Sequence, residues 1–182
     1  MKTRLPAGLL GLVLVAVLTA CSAEAKPPGA NATDIRFSLE MIPHHAQTIE
    51  LADLVPHRGS HPFITDVATR VKTDETAEIE QMSSWQSWNV PLPQSSHHMA
   101  GMDMPGMATE AEVVALRTSS GPEFDQLWLS TLAKHLRSGV DMAKATQAGG
   151  GIHPGTRDLT RKVITEQEAA IADITRQQSS ST

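Results

Sequence analysis

The chain has 182 residues, with 20 acidic against 15 basic side chains, 3% aromatic residues and a single cysteine. One cysteine excludes an intramolecular disulfide, and the acidic balance leaves no basic footprint for nucleic acid. The length suits one domain.

The N-terminus carries Lys2 and Arg4, then an apolar run over residues 9–18, then Leu18-Thr19-Ala20-Cys21. A charged start, a short apolar stretch and small residues read as a signal peptide over residues 1–20. Ten apolar residues are too few to cross a bilayer. Leu-Thr-Ala-Cys has the form of a bacterial lipobox, in which Cys21 is lipidated and becomes the first residue. The alternative is ordinary secretion, with Cys21 left in a tail. Lipidation would leave no thiol, which suits an oxidising compartment. Cleavage after residue 20 leaves 162 of the 182 residues, and losing two basic side chains takes the net charge from −5 to −7. The expected location is the cell membrane, lipid-anchored and facing the periplasm or the outside. Residues 21–33 are read as the lipidated end and a tether.

The first helix is expected over residues 34–55, with Asp34 as N-cap. At about 100° per residue, Phe37, Met41, His44, Thr48, Leu51, Ala52 and Val55 share one stripe. His45 lies at its edge, one turn above Met41. Pro43 is expected to kink the helix just before the two histidines. Burying an imidazole unpaired costs roughly 1–3 kcal/mol, so a hydrogen bond or a metal ion must meet it.

A turn over residues 56–62 leads to a second helix over 62–88, with Ile64, Val67, Val71, Met82 and Trp85 as its stripe. Asp74 and Glu78 fall within that stripe and Glu75 at its edge. They either reach water at a wide rim or partner the histidines.

Residues 89–108 break the pattern with His97, His98, Met99, Met102, Met104 and Met107 among glycine and proline. Gly101, Pro105 and Gly106 are expected to hold this loop flexible and apart from the core. Thr109 and Glu112 form a capping box for a short helix to Arg117. Long helices over 122–147 and 154–177 follow, separated by three glycines, and residues 178–182 read as a disordered tail.

The chain repeats itself. An offset of 91 residues places Phe37 on Trp128, Met41 on Leu132 and His44 on His135. Each half is a helical hairpin, and two hairpins can bury their stripes together as a four-helix bundle. His44 and His135 should both face inward.

Asp34-x-x-Phe37, Met41-Ile-Pro-His-His, Glu75-x-x-Glu78-Ile79, Met104-Pro-Gly-Met107 and Phe124-Asp125 resemble the bacterial domain-of-unknown-function family 305, over residues 34–177. The resemblance implies an all-α, ferritin-like bundle, usually exported, with some members associated with copper or silver. This chain departs from the pattern where Leu136 replaces the second histidine of the second pair. It departs again where Glu75 stands for a glutamine and where Ala170 stands for a glutamate.

Two metal sites are candidates. One is a bundle site of His44, His45 and His135 with Met41 and Glu78 nearby. The other is the loop, with His97, His98, Met99, Met102, Met104 and Met107. Four of the seven methionines after residue 20 lie within residues 99–107, between glycines and prolines and off any helical stripe. Imidazole suits several transition metals, and thioether shifts the preference toward Cu(I) and Ag(I). No Glu-x-x-His, His-Glu-x-x-His or Gly-x-Ser-x-Gly pattern marks an enzyme. The expectation is a copper-binding envelope lipoprotein, with Cu(I) as the ion. The alternative is a metal-free structural or partner-binding bundle with histidine–carboxylate packing. The partners allowed are the membrane through Cys21, a metal ion, and a second copy or another envelope protein.

Overall fold

The computed structural model describes residues 29–85, 104–151 and 153–180. Its helices are α1 (Ala32–Asp53), α2 (Val55–Arg58), α3 (Pro62–Ser83), α4 (Glu110–Thr118), α5 (Gly121–Ala148) and α6 (Pro154–Ser180). No strand occurs among the described residues. The fold is an all-α bundle: α1 packs on α3, α5 packs on α6, and α1 lies against α5.

Local chemistry sets the ends. Asn31, and not Asp34, caps α1. The Asn31 side chain accepts from Thr33 and Asp34 N–H, and Asp34 reaches back to the Asn31 N–H at 2.8 Å. This reciprocal box satisfies donors on both residues, so the helix starts inside the expected tether. Pro43 sits within α1 without ending it. The first helix stops at Asp53 and Val55–Arg58 forms a separate turn with Pro56 at its start. Pro62 and Pro154 open α3 and α6, where their missing N–H costs nothing. Thr109 and Glu112 form the capping box of α4. Gly149 caps α5, and Gly150 turns the chain at φ 76°. Helix α6 runs on to Ser180, three residues into the stretch read as a tail.

The core divides into two apolar clusters. One holds Leu51, Val55, Ile64, Val67, Val71, Leu116, Phe124, Trp128, Leu132, Leu136 and Ile174. The other holds Phe37, Met41, Ile42, Met82, Ala143, Leu159 and Val163. Along α1, α3 and α6 the change of cluster falls at a buried polar group, His44 and His45, Glu75 and Glu78, and Gln167, while on α5 it falls just beyond His135, between Leu136 and Ala143. A polar layer thus lies at mid-height between two apolar halves. Each fully buried large apolar side chain adds about 1.5–3 kcal/mol, which stabilises the helices enclosing that layer.

Candidate metal centre

His44 and His45 are adjacent on α1, so their rings point about 100° apart. One meets α5 and the other meets α3. Both rings, and that of His135, are wholly buried.

The His44 and His135 rings stack, with centroids 3.8 Å apart and planes at 17°. His135 Nε2 lies 3.1 Å from the main-chain oxygen of His44. A carbonyl only accepts, so His135 carries its proton on Nε2 and Nδ1 keeps a lone pair. That Nδ1 has no hydrogen-bond partner, and neither ring nitrogen of His44 has one. Burial, reinforced by charge on His135 and His45, holds His44 well below the ordinary imidazole range. Burial also pushes His135 down, to about 4. Both rings are therefore neutral near pH 7, with lone pairs unused.

His45 is set differently. Its Nδ1 is 3.1 Å from Glu75 Oε2 and its Nε2 is 2.8 Å from Glu78 Oε2. Charge attraction and hydrogen bonding to the two carboxylates act together on this ring. Burial alone would lower this imidazole, but Glu75 and then Glu78 outweigh it and raise it to about 9. Glu78 is buried too, yet hydrogen bonds and charge from His45 and Lys162 pull its carboxyl below the ordinary range. The remaining oxygens are also engaged. Gln167 Nε2 donates to Glu75 Oε1 at 3.1 Å, and Lys162 Nζ donates to Glu78 Oε1 at 2.9 Å.

Met41 is fully buried in the cluster with Phe37, Ile42 and Met82, one turn below His44 and His45. Met104 and Met107 are half-buried and flank Pro105 and Gly106. This end of the loop is not apart from the core. Ser138 Oγ donates to the Pro105 carbonyl, and a Cβ on Gly106 would fall 2.2 Å from Ser138 Cβ. Ala108 is buried and pairs both ways with the Gln47 amide, at 3.0 and 2.7 Å. Gly106, with its main chain beside the His135 ring, closes the α5 side of the polar layer. The glycine confers close approach here, not freedom. His97, His98, Met99, Met102 and Cys21 lie outside the described residues.

Helical phase placed Glu75 at the edge of its stripe, and it is buried against His45. Its spacing of three from Glu78 is the signal that puts both carboxylates on one face. Gln167 and Gln47 were missed. Gln167 stands in the second half where Glu75 stands in the first.

Among the described residues, no group of three or more His, Cys, Asp or Glu side chains is arranged to hold a metal ion. The donor chemistry nevertheless fits a soft ion that accepts few neutral ligands, because neutral His44 and His135 each keep one lone pair outside any aligned hydrogen bond. Stacked rings present their lone pairs side by side, so an ion shared by both requires one ring to turn. A cavity of about 530 Å³ lies elsewhere, between the α2–α3 turn, the start of α5 and the end of α6, and none of these histidines lines it. No described helix is long and apolar enough to cross a membrane.

Fold and site together define a helical bundle with a histidine-rich buried layer. The chain belongs to the DUF305 family, a domain of unknown function whose model matches residues 34–177. It is similar to a DUF305 protein from Streptomyces coelicolor described as secreted, at 28% identity and a TM-score of 0.68, covering 78% of this chain and 89% of that one. A DUF305 fragment from Deinococcus radiodurans matches at 25% identity and TM-score 0.70, over 81% and 96%. CopM in its Cu(II)-bound form matches at 26% and 0.69, over 82% and 97%. CopM in its Cu(I)-bound form matches at 25% and 0.67, over 82% and 98%. No curated protein matches the chain.

Proposed function

We propose that this chain is an exported envelope protein that binds Cu(I) or Ag(I), for sequestration or transfer, and catalyses no reaction. The observation that carries this reading is His44, whose two ring nitrogens are fully buried and without hydrogen-bond partners beside the unpartnered Nδ1 of His135. An unmet buried polar atom costs about 1–3 kcal/mol, and a bound soft ion removes that cost. CopM, at 25–26% identity, is known in Cu(I)-bound and Cu(II)-bound forms, which supports copper, and its Cu(I)-bound form supports the proposed oxidation state. His44 and His135 supply neutral nitrogen, while Met41, Met104 and Met107 supply thioether on the same helix and the adjoining segment. The His97–His98 pair with Met99 and Met102 is proposed to capture ions ahead of the buried site. Anchoring is proposed through lipid on Cys21, where two acyl chains at about 0.8 kcal/mol per buried methylene hold a protein stably on a membrane.

Native mass spectrometry with Cu(I) titration tests this. The parent should bind Cu(I), and His44→Ala should lower the stoichiometry and the stabilisation that Cu(I) gives the fold. Equal melting shifts with and without Cu(I), at unchanged stoichiometry, would favour the metal-free structural bundle, a reading that His45 and its two carboxylates already suit. In cells, Cys21→Ala should release the protein from the membrane fraction, and unchanged fractionation would remove the anchor.

A further inference from the structure

The buried layer separates into two groups. The His44 nitrogens and Nδ1 of His135 face only a neighbouring ring and main chain, with no aligned hydrogen bond and no ion-pair partner. In the other group every charged atom is engaged: both nitrogens of His45, both oxygens of Glu75 and both oxygens of Glu78. The internal repeat gives an independent view of the second group. Residues 136, 167 and 170 correspond to His45, Glu75 and Glu78, and they are leucine, glutamine and alanine. The imidazole and both carboxylates are replaced together by side chains that cannot ionise, all buried, at 0%, 4% and 2% exposure. The position of His44, by contrast, keeps its histidine as His135. One group is exchanged as a closed electrostatic unit while the other is kept.

We infer that His45, Glu75 and Glu78 form a self-contained ion cluster that binds no metal and makes the neighbouring His44–His135 site selective for soft monovalent ions. This rests on the metal-binding reading of that pair. The reasoning concerns charge. A divalent ion held by two neutral imidazoles in a low-dielectric interior keeps its charge uncompensated, which is costly. It needs a carboxylate, and the two carboxylates of the layer are held by His45, Gln167 and Lys162. A monovalent ion that accepts two or three soft neutral donors has no such need. His45 is thus a specificity-determining residue that acts through the carboxylates it occupies.

The test uses the parent, the triple variant His45→Leu/Glu75→Gln/Glu78→Ala, which copies the second half of the chain, and His45→Leu alone. Each is titrated with Cu(I), Ag(I) and Zn(II) by native mass spectrometry and chelator competition, with circular dichroism as the check of folding. The triple variant should fold and keep the parent's Cu(I) and Ag(I) stoichiometry, still without Zn(II). His45→Leu, with both carboxylates released, should gain one Zn(II), and adding His44→Ala should abolish it. X-ray absorption of the Cu(I)-loaded parent should show no change at the copper edge in the triple variant. A folded triple variant that loses Cu(I) would overturn the inference while the metal-binding reading stands. A parent that binds one Zn(II) through His44 as tightly as Cu(I) would overturn the selectivity. A parent that binds neither Cu(I) nor Ag(I) would remove both. If His45→Leu does not fold, the triple variant and the Zn(II) titration of the parent still decide.

Discussion

Three imidazoles within one buried layer hold different charge because their neighbours differ. His44 meets a ring and main chain, His135 meets a ring and a carbonyl, and His45 meets two carboxylates. Their pH dependence follows in sign. His45 is raised from 6.5 to about 9, so its contribution is complete below pH 6.5 and is lost as pH rises through 9. His135 is lowered from 6.5 to about 4, and His44 is lowered as well. Their contribution is present above pH 6.5 and is lost as pH falls toward 4. Each titrating ring gives a slope of up to about 1.4 kcal/mol per pH unit. Urea denaturation of the metal-free protein should therefore show greatest stability near pH 6.5, with a decline on both sides. In the triple variant the alkaline decline should be absent. A parent equally stable at pH 6.5 and pH 9.5 would show that His45 is not charged in the fold.

At the scale of elements, the junction between residues 104 and 108 controls how closely the loop covers the layer. Gly106 has φ 81°, a left-handed backbone that costs other residues roughly 1–2 kcal/mol. Its missing side chain also lets Pro105 reach Ser138 on α5. Gly106→Ala combines both penalties, so stability should fall by about 2–5 kcal/mol, adding an overpacking cost of roughly 1–3 kcal/mol to the backbone cost. The junction should lift from α5, and the amide of Ala108, which donates to Gln47, should exchange with deuterium faster than in the parent. Unaltered exchange at Ala108 would mean that the junction tolerates a side chain there. Gly139 has a related role, about one turn beyond His135. A Cβ there would meet Gln167 Oε1 at 2.4 Å, so the glycine gives Gln167 its path to Glu75.

Across the whole molecule, each hairpin fastens the turn of the other. Asp125, at the start of α5, accepts from Ser60 N–H at 3.0 Å and from Ser60 Oγ at 2.5 Å, in the turn of the first hairpin. Asp34, at the start of α1, accepts from the His153 N–H at 3.3 Å in the turn of the second. Asn31 and Thr33 add bonds to the carbonyls of Gly150 and Gly149. Trp128 Nε1 donates to the Leu51 carbonyl at 2.8 Å, sharing an acceptor at the end of α1 that also takes the Leu54 N–H at 3.3 Å. These ties cross between hairpins, so the two should unfold together. Asp125→Ala leaves the Ser60 donors unmet and should cost about 1–3 kcal/mol, read as a lower urea midpoint. Far-ultraviolet circular dichroism and tryptophan fluorescence should still give one coincident transition. Separate transitions in the parent would show that the hairpins are independent.

The sequence by itself determined what depends on local order. Hydrophobic period, proline at helix starts and glycine at helix ends placed the long helices. The offset of 91 residues turned His44 and His135 to corresponding inward positions. A stripe records which side of a helix is buried, because side-chain direction repeats with the helical turn. It does not record which neighbour is met at a given height. Tertiary structure alone decided that His45 faces α3 between Glu75 and Glu78 while His44 faces α5 and stacks on His135. It also decided that Asn31 caps α1, since Asn31 and Asp34 are both good caps and only their reciprocal geometry orders them. The docking of Gly106 required Ser138, 32 residues further along, to offer a surface that a glycine alone can approach. The charge of a buried imidazole is fixed by groups within a few ångströms, and in this fold the groups brought in from other elements lie 29 to 91 positions away.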